Sequence, residues 1–360
     1  MSLAERATTV LSRARDWGRR RIVRDNPSPT IYLHIGRSKV GSTTLQEFFL
    51  THRQALEAGG VRYALFGHLK GSVPGVLGFA QQDELAAYAR AHPGEAILIS
   101  NEFLFGWPRD YTRLMIDGLR GLDVRVIAYL RPYDAWACSS YAHAVRTGEN
   151  RRDFDSYLDW VRPRLSALPH LEAWGDGLGW DRVRVRSIDE RAFRWRDLVP
   201  DCLGAIGLDP ALGVPAPSRN HAPHWATIEL LRTLVDHNRE EPWDDAAVAL
   251  ALPLCGLLES CWADGHGPGS KPQYLTPVQA NDLTDLYNRD LAEIGRRTGF
   301  VLAPQQPPDL PARPFLPAFD RVPIEILRDF RARATAADFA RTHPQAAAAV
   351  LSRGIADFAV

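Results

Sequence analysis

Residues Thr30 to Ile35 form a short apolar run that ends on Gly36, and Thr43 to Glu57 then follows the period of an amphipathic helix. On that helix Leu45, Phe48, Phe49 and Leu56 share a face, and Gly59-Gly60 close it. A buried strand feeding a glycine turn and then a helix commits the chain to a layered arrangement of strands and helices. Three more β-prone runs, at 96–100, 124–130 and 183–188, are separated by helical patterns at 109–120, 132–147 and 153–168. The expected fold class is therefore α/β, with a central parallel sheet, helices on both faces and a helical C-terminal half. In that half the helical stretches are 195–206, 224–239, 244–263 and 276–298, with Gly- and Pro-rich loops at 209–223 and 264–277. The segments divide into a basic arm (1–29), an α/β domain (30–302), and a Pro-rich linker with an Ala-rich helical extension (303–360), the last read as a docking or assembly element.

Charge decides what kind of partner the chain can attract at long range. Lys plus Arg and Asp plus Glu are equal at 43 each, so no global field draws nucleic acid, and any anion site has to be built locally. The four cysteines, Cys138, Cys202, Cys255 and Cys261, show no C-x-x-C and no zinc-ligand spacing. They read as buried free thiols of a reducing, cytoplasmic setting. No run of apolar residues is long enough to span a bilayer. The arm carries Arg19, Arg20 and Arg21 among Leu3, Val10, Leu11, Trp17 and Ile22, which allows peripheral contact with an anionic membrane surface beside the plainer reading of a solvated basic helix. Oligomeric state is not legible.

The turn Gly36-Arg37-Ser38-Lys39-Val40-Gly41-Ser42-Thr43-Thr44 joins the first strand to its helix. Such a turn is an anion site by physics: backbone N–H groups of the helix start are free and the helix dipole adds positive charge. Ser42, Thr43 and Thr44 add hydroxyls, and Lys39 a full charge. Gly36 and Gly41 have the spacing of the nucleotide-hydrolase loop, but Ser42 stands where that loop has its lysine, and Lys39 sits inside the turn instead. This displacement argues against β/γ-phosphate chemistry with magnesium, and so against the runner-up reading, a P-loop small-molecule kinase.

A second anchor follows the run 124–130. Arg131 stands at its C-terminal end, where parallel sheets bind ligands, Pro132 opens a helix, and Ser139 lies eight residues on, about two turns along it. A third feature is Glu102, a carboxylate just past the run 96–100, placed to take a proton. His34 competes for that role from the first strand, where alternation puts it opposite Ile31, Leu33 and Ile35.

With these residues in view, the chain resembles the 3′-phosphoadenosine 5′-phosphosulfate-dependent sulfotransferases, a family of P-loop nucleotide-hydrolase-like fold, and is nearer their heparan-type and bacterial branch. The motif His34 to Gln46 is similar to the family's 5′-phosphosulfate loop. The resemblance implies that Arg37, Ser38, Lys39, Val40, Gly41, Ser42, Thr43 and Thr44 hold the donor, with Lys39 at the sulfuryl–phosphate bridge. It implies that Arg131 and Ser139 hold the 3′-phosphate, followed by Tyr141 and His143 at the family's alternate positions. Glu102 matches the glutamate that heparan-type relatives use as base. A loop closing over the adenosine phosphate would bring Arg219 and Asn220. The implied activity is sulfuryl transfer to a hydroxyl or amine of a glycan, lipid or small metabolite, without a metal. A non-enzymatic nucleotide-binding module is the remaining alternative. Residues 67–79 and 264–274 read as mobile loops that contact the acceptor or form a lid.

Overall fold

The computed structural model of the chain describes residues 29–66, 81–188, 197–212, 223–235, 245–263, 274–300, 302–310, 322 and 324–352. Two compact units emerge, one from Met1–Pro132, Ser166–Arg219 and Leu286–Gln305, the other from Tyr133–Leu165, Asn220–Asp285 and Gln306–Val360.

The first unit holds five strands: β1 (Thr30–His34), β2 (Val61–Tyr63), β3 (Ala96–Ser100), β4 (Asp123–Leu130) and β5 (Val183–Ser187). They form one sheet in the order β2-β3-β1-β4-β5, and each pairing is parallel. All residues of β1 and β3 are buried, as strands covered on both faces must be. The register sets His34 level with Ser100 on one side and Ile127 on the other.

Two layers of helix cover the sheet. Tyr32, Tyr63, Leu98, Ile127 and Tyr129 point to one face, and pack with Leu45, Phe48 and Phe49 of α1 (Ser42–Thr51), Leu56 of α2 (Arg53–Ala58), and residues of the later helix Leu198–Ala205. On the other face α3 (Gln82–Arg90) packs on α4 (Arg109–Gly118), and α4 on the helix Leu168–Leu178, which lies along β4 and β5. The chain thus leaves β1 toward one face and its neighbour β3 toward the opposite one. Strand ends where the connections part in this way are where open α/β sheets bind ligands.

Between β4 and Ser166 the chain contributes α5 (Tyr133–Arg146) and α6 (Phe154–Val161) to the second unit. It then returns as α7 (Leu168–Leu178) and α8 (Leu198–Ala205) of the first. The second unit continues with α9 (Trp225–Val235) and α10 (Asp245–Ala263), and α11 (Pro277–Thr298) runs from the second unit's residues into the first's. The last helices, α12 (Ile324–Ala334), α13 (Ala337–Thr342) and α14 (Pro344–Ser352), belong to the second unit, where α12 and α14 pack on α10. Its interior is aromatic: Tyr141 meets Phe154, Tyr157 and Tyr274 at 5.0–5.4 Å between ring centroids. Glu229 is buried there and accepts from Tyr141 Oη at 3.2 Å and Arg232 Nε at 3.0 Å. Burial raises the Glu229 carboxyl above its usual range despite that arginine.

The α/β class with a parallel sheet and helices on both faces is as expected, and differences lie in the details. The pattern 43–57 predicts one helix, but the chain breaks at His52, whose ring stacks on Phe48 at 4.3 Å and whose Nδ1 bonds the Phe48 carbonyl. The pattern 153–168 predicts another, but α6 ends at Val161. Pro163 and Pro169 each start a new turn, a 3-10 turn at Arg162–Arg164 and then α7. The 195–206 pattern corresponds to α8.

The start of α7 has no capping side chain of its own. Asp290 of α11 supplies the cap, accepting from Ser166 Oγ at 2.9 Å, Ala167 N at 2.8 Å and Leu168 N at 3.4 Å, with only 6% of its surface exposed. Removing a buried carboxylate that satisfies these donors leaves them unpaired. Asp290→Ala is expected to lower stability by about 1–3 kcal/mol, measured as a reduced urea midpoint with unchanged slope.

Candidate active site

The turn after β1 has an unusual backbone. Lys39 has φ of 67°, and is the one non-glycine residue with positive φ among the described residues. Gly41 follows at φ 85° as the left-handed N-cap of α1. A lysine in this region is uncommon and costs about 1 kcal/mol or more, so the surroundings must hold it there. One restraint is visible: Arg131 Nη1, at the end of β4, donates to the Lys39 carbonyl at 3.3 Å. The loop and the strand-end arginine, far apart in sequence, are thereby brought together. Left-handed residues alternating with ordinary ones curl a backbone into a concavity lined by N–H groups.

Gly41 provides no side-chain cap, and the first turn of α1 carries no acidic residue. Ser42 is 3% exposed, and its Oγ has no hydrogen-bond partner. A buried hydroxyl without a partner is costly unless a ligand satisfies it. Nearby, Asn101 accepts from Phe103 N at 3.0 Å through Oδ1, while its buried Nδ2 is likewise unpartnered. Its own N–H bonds the His34 carbonyl at 2.9 Å, which fixes it beside the end of β1. Thr43 is exposed, Thr44 and Ser38 are half-buried, and Val40 is fully buried beneath the turn. Arg37 is 9% exposed.

The two candidate bases have opposite environments. His34 is fully buried, and its Nδ1 shares a 2.7 Å hydrogen bond with Ser100 Oγ. Gly36 closes over its other nitrogen so tightly that a Cβ there would lie 2.9 Å from Nε2. Burial pushes the His34 imidazole down to about 4. Glu102 instead begins the half-exposed 3-10 turn Glu102–Gly106 just beyond β3, capped by Asn101.

Ser139 and His143 are half-buried on α5 of the second unit. Tyr141 is wholly buried and engaged with Glu229. Arg219 and Asn220, and the loops 67–79 and 264–273, lie outside the described residues. One residue near the turn escaped the sequence reading. His170, in the first turn of α7, meets Phe105 in a tilted ring contact at 5.1 Å and feels the charge of Arg37. Burial first, and then Arg37, hold its imidazole below the ordinary range. No local pattern marks it, because only the packing of α7 brings it there. Among the described residues, no group of three or more His, Cys, Asp or Glu could hold a metal ion, and no helix is long and apolar enough to cross a membrane.

Among solved structures, a sulfotransferase from Alicyclobacillus acidocaldarius matches 76% of this chain and 97% of its own, at 16% identity and a TM-score of 0.43. No family model and no curated protein sequence matches the chain.

The state of His34 makes stability depend on pH. Unfolded, the group takes a proton near 6.5; folded, it resists until about 4. Acid therefore favours the unfolded chain. The contribution is complete above pH 6.5 and is lost as pH falls through 4, reaching roughly 3 kcal/mol. His34→Asn, which keeps an amide near Ser100 Oγ, is expected to remove that part of the pH slope when urea unfolding is compared at neutral and mildly acidic pH.

Proposed function

We propose that this chain is a sulfotransferase that takes its sulfuryl group from 3′-phosphoadenosine 5′-phosphosulfate. The observation that carries the reading is the turn after β1: left-handed at Lys39 and Gly41, tied to Arg131, and opening onto a helix start with a buried, unpartnered Ser42 hydroxyl. These features fit an anionic nucleotide. The donor would supply the sulfuryl group, with adenosine 3′,5′-bisphosphate as the product that stays with the loop.

In this reading Arg37, Ser38, Val40, Gly41, Ser42, Thr43 and Thr44 surround the 5′ end of the donor with backbone and hydroxyl donors. Lys39 neutralises charge that builds on the leaving oxygen as the bond to sulfur breaks, an effect that works best from a preorganised site. Glu102 takes the acceptor's proton, a role that a half-exposed carboxylate can fill and the enclosed His34 cannot reach. Arg131 and Ser139 hold the 3′-phosphate, with Arg219 and Asn220 as further donor contacts. The acceptor is a hydroxyl or amine of a glycan, lipid or small metabolite. A cytoplasmic setting, with membrane contact through the basic arm, remains part of the proposal.

The deciding experiment is a calorimetric titration of adenosine 3′,5′-bisphosphate and adenosine 5′-phosphate, without metal, into the wild type and Arg131→Ala. A charge-assisted contact of about 1.5–3 kcal/mol converts to roughly a 10- to 150-fold loss for the bisphosphate. The monophosphate is expected to bind weakly and lose little more, so the double difference isolates the 3′ contact from general damage. Equal losses for both nucleotides, or a requirement for magnesium and ATP, would overturn the reading in favour of a kinase.

Catalytic roles need a transfer assay, in which a panel of glycans and metabolites is incubated with the sulfate donor and read by mass. Lys39→Ala and Glu102→Gln are each expected to cut transfer by about 100-fold or more, while Glu102→Gln keeps its affinity for the bisphosphate. Full activity in Glu102→Gln would remove the glutamate from the mechanism. Bisphosphate binding without transfer to any acceptor would favour a non-enzymatic nucleotide-binding module.

A further inference from the structure

Asn101 follows β3 directly, with the extended backbone of the strand (φ −145°, ψ 107°). Its N–H donates to the His34 carbonyl at 2.9 Å, which ties it to the residue where β1 gives way to the loop. The preceding Ser100 shares a 2.7 Å hydrogen bond with His34 Nδ1, and its carbonyl accepts from Gln46 Nε2 of α1 at 3.3 Å. Residues 100 and 101 are thus bonded to both elements that flank the loop. Asn101 Oδ1 accepts from Phe103 N at 3.0 Å, two residues further on. An oxygen in that role lies past the end of the strand, so the side chain sits at the C-terminal edge of the sheet, the edge from which the loop also departs.

The same bond fixes which way the amide faces. Only its oxygen can accept from an N–H, so Nδ2 is turned away from the 3-10 turn. Asn101 is 5% exposed, and Nδ2 has no hydrogen-bond partner within the protein. Ser42 Oγ, at the start of α1, is in the same condition. His34 Nε2 also lacks a partner, but Gly36 encloses it and it belongs to the packing. Two buried donors are therefore left open on the elements that flank one loop, and buried donors are rarely left so without a ligand to meet them. We propose that Asn101 is a further residue of the anion site, with Nδ2 donating to an oxygen of the bound anion. The proposal deepens the reading of the loop given above and rests on it.

The choice of side chain carries the chemistry. Asn and Asp cap a turn about equally well, so the cap alone does not ask for asparagine. Toward an anion the two are opposites. An ionised carboxylate offers only acceptors and a negative charge, whereas the amide offers two N–H donors and no charge. A carboxylate in this place would meet a phosphate or sulfuryl oxygen with like charge and no proton between them. The amide meets it with a hydrogen bond to a charged acceptor, stronger than one between neutral groups. Its orientation is already set by the bond to Phe103 N, so it needs no rearrangement when the anion arrives.

The test separates the donor from the cap. Asn101→Ser and Asn101→Asp each keep an oxygen for Phe103 N, and each lose the Nδ2 donor. Inorganic pyrophosphate and adenosine 3′,5′-bisphosphate are titrated calorimetrically, without metal, into wild type and both variants, and the order of affinities is read on each anion that wild type binds. Asn101→Ser is expected to bind about tenfold more weakly than wild type, the loss of one hydrogen bond to a charged acceptor. Asn101→Asp is expected to lose about a further tenfold or more, because it adds repulsion to the lost donor. If Asn101 only caps the turn, or holds an enclosed water, Asn101→Ser binds as wild type does, and the inference is overturned. Equal losses in the two variants point to general damage and overturn it as well. If wild type binds pyrophosphate alone and the order holds, the inference stands and the sulfotransferase reading falls. If wild type binds the bisphosphate and Asn101→Ser loses nothing, the inference falls and the sulfotransferase reading stands. If neither anion binds, both fall.

Discussion

The hydrogen bond from Arg131 to the Lys39 carbonyl joins the ends of adjacent strands through a backbone conformation that lysine adopts only under restraint. Much else follows from it. The left-handed turn lets Gly41 end the loop as the N-cap of α1. Val40 is pressed fully into the core beneath it, which anchors the loop from below. Gly36 must be glycine because the loop passes within van der Waals contact of His34. The loop is therefore a rigid part of the sheet and not an appendage. Rigidity is what an anion site requires, since donors that are already aimed need no reorganisation when charge arrives.

Electrostatically, the proposed anion site needs a positive locus inside a chain with no net charge. In the proposed reading Arg37, Lys39 and Arg131 supply that charge beside the start of α1, and the buried Ser42 Oγ, which has no partner within the protein, is left for the ligand. Each unsatisfied group weakens the empty fold and strengthens the filled one. The enclosed His34 contributes differently. Its hydrogen bond to Ser100 stitches β1 to β3 at the level where the loop departs, so it supports the geometry without touching a ligand.

Where local chemistry dominated, the sequence was readable. The runs at 30–35, 96–100, 124–130 and 183–188 are legible as buried strands because β-branched and aromatic residues cluster there, and the loop is legible because glycine and hydroxyl residues cluster between a strand and a helix. β2 is not, since its three residues are too few to display a period. Nor is α3, which buries Leu85 and two alanines and so lacks a strong apolar face. The break at His52 and the restart at α7 arise from a ring stack and from prolines inside what reads as continuous helix. The Arg131–Lys39 bond and the position of His170 depend on tertiary packing alone. No spacing rule reaches across the 133 positions that separate Arg37 from His170.

Neither compact unit is continuous along the chain, and Asp290 caps a helix whose preceding Ser166 lies 124 positions upstream. This sets the order of events during synthesis. The first unit lacks its last stretch, Leu286–Gln305, until most of the polypeptide has been made, and the second waits for residues beyond Gln306. Most domains begin to fold as soon as their own residues emerge, but here a sheet whose last strand ends at Ser187 waits for the helix residues that complete its unit. Contacts of such long sequence separation also slow the final assembly, because the chain closes large loops before it gains their reward. The nascent protein consequently keeps apolar surface uncovered for longer than its size alone implies.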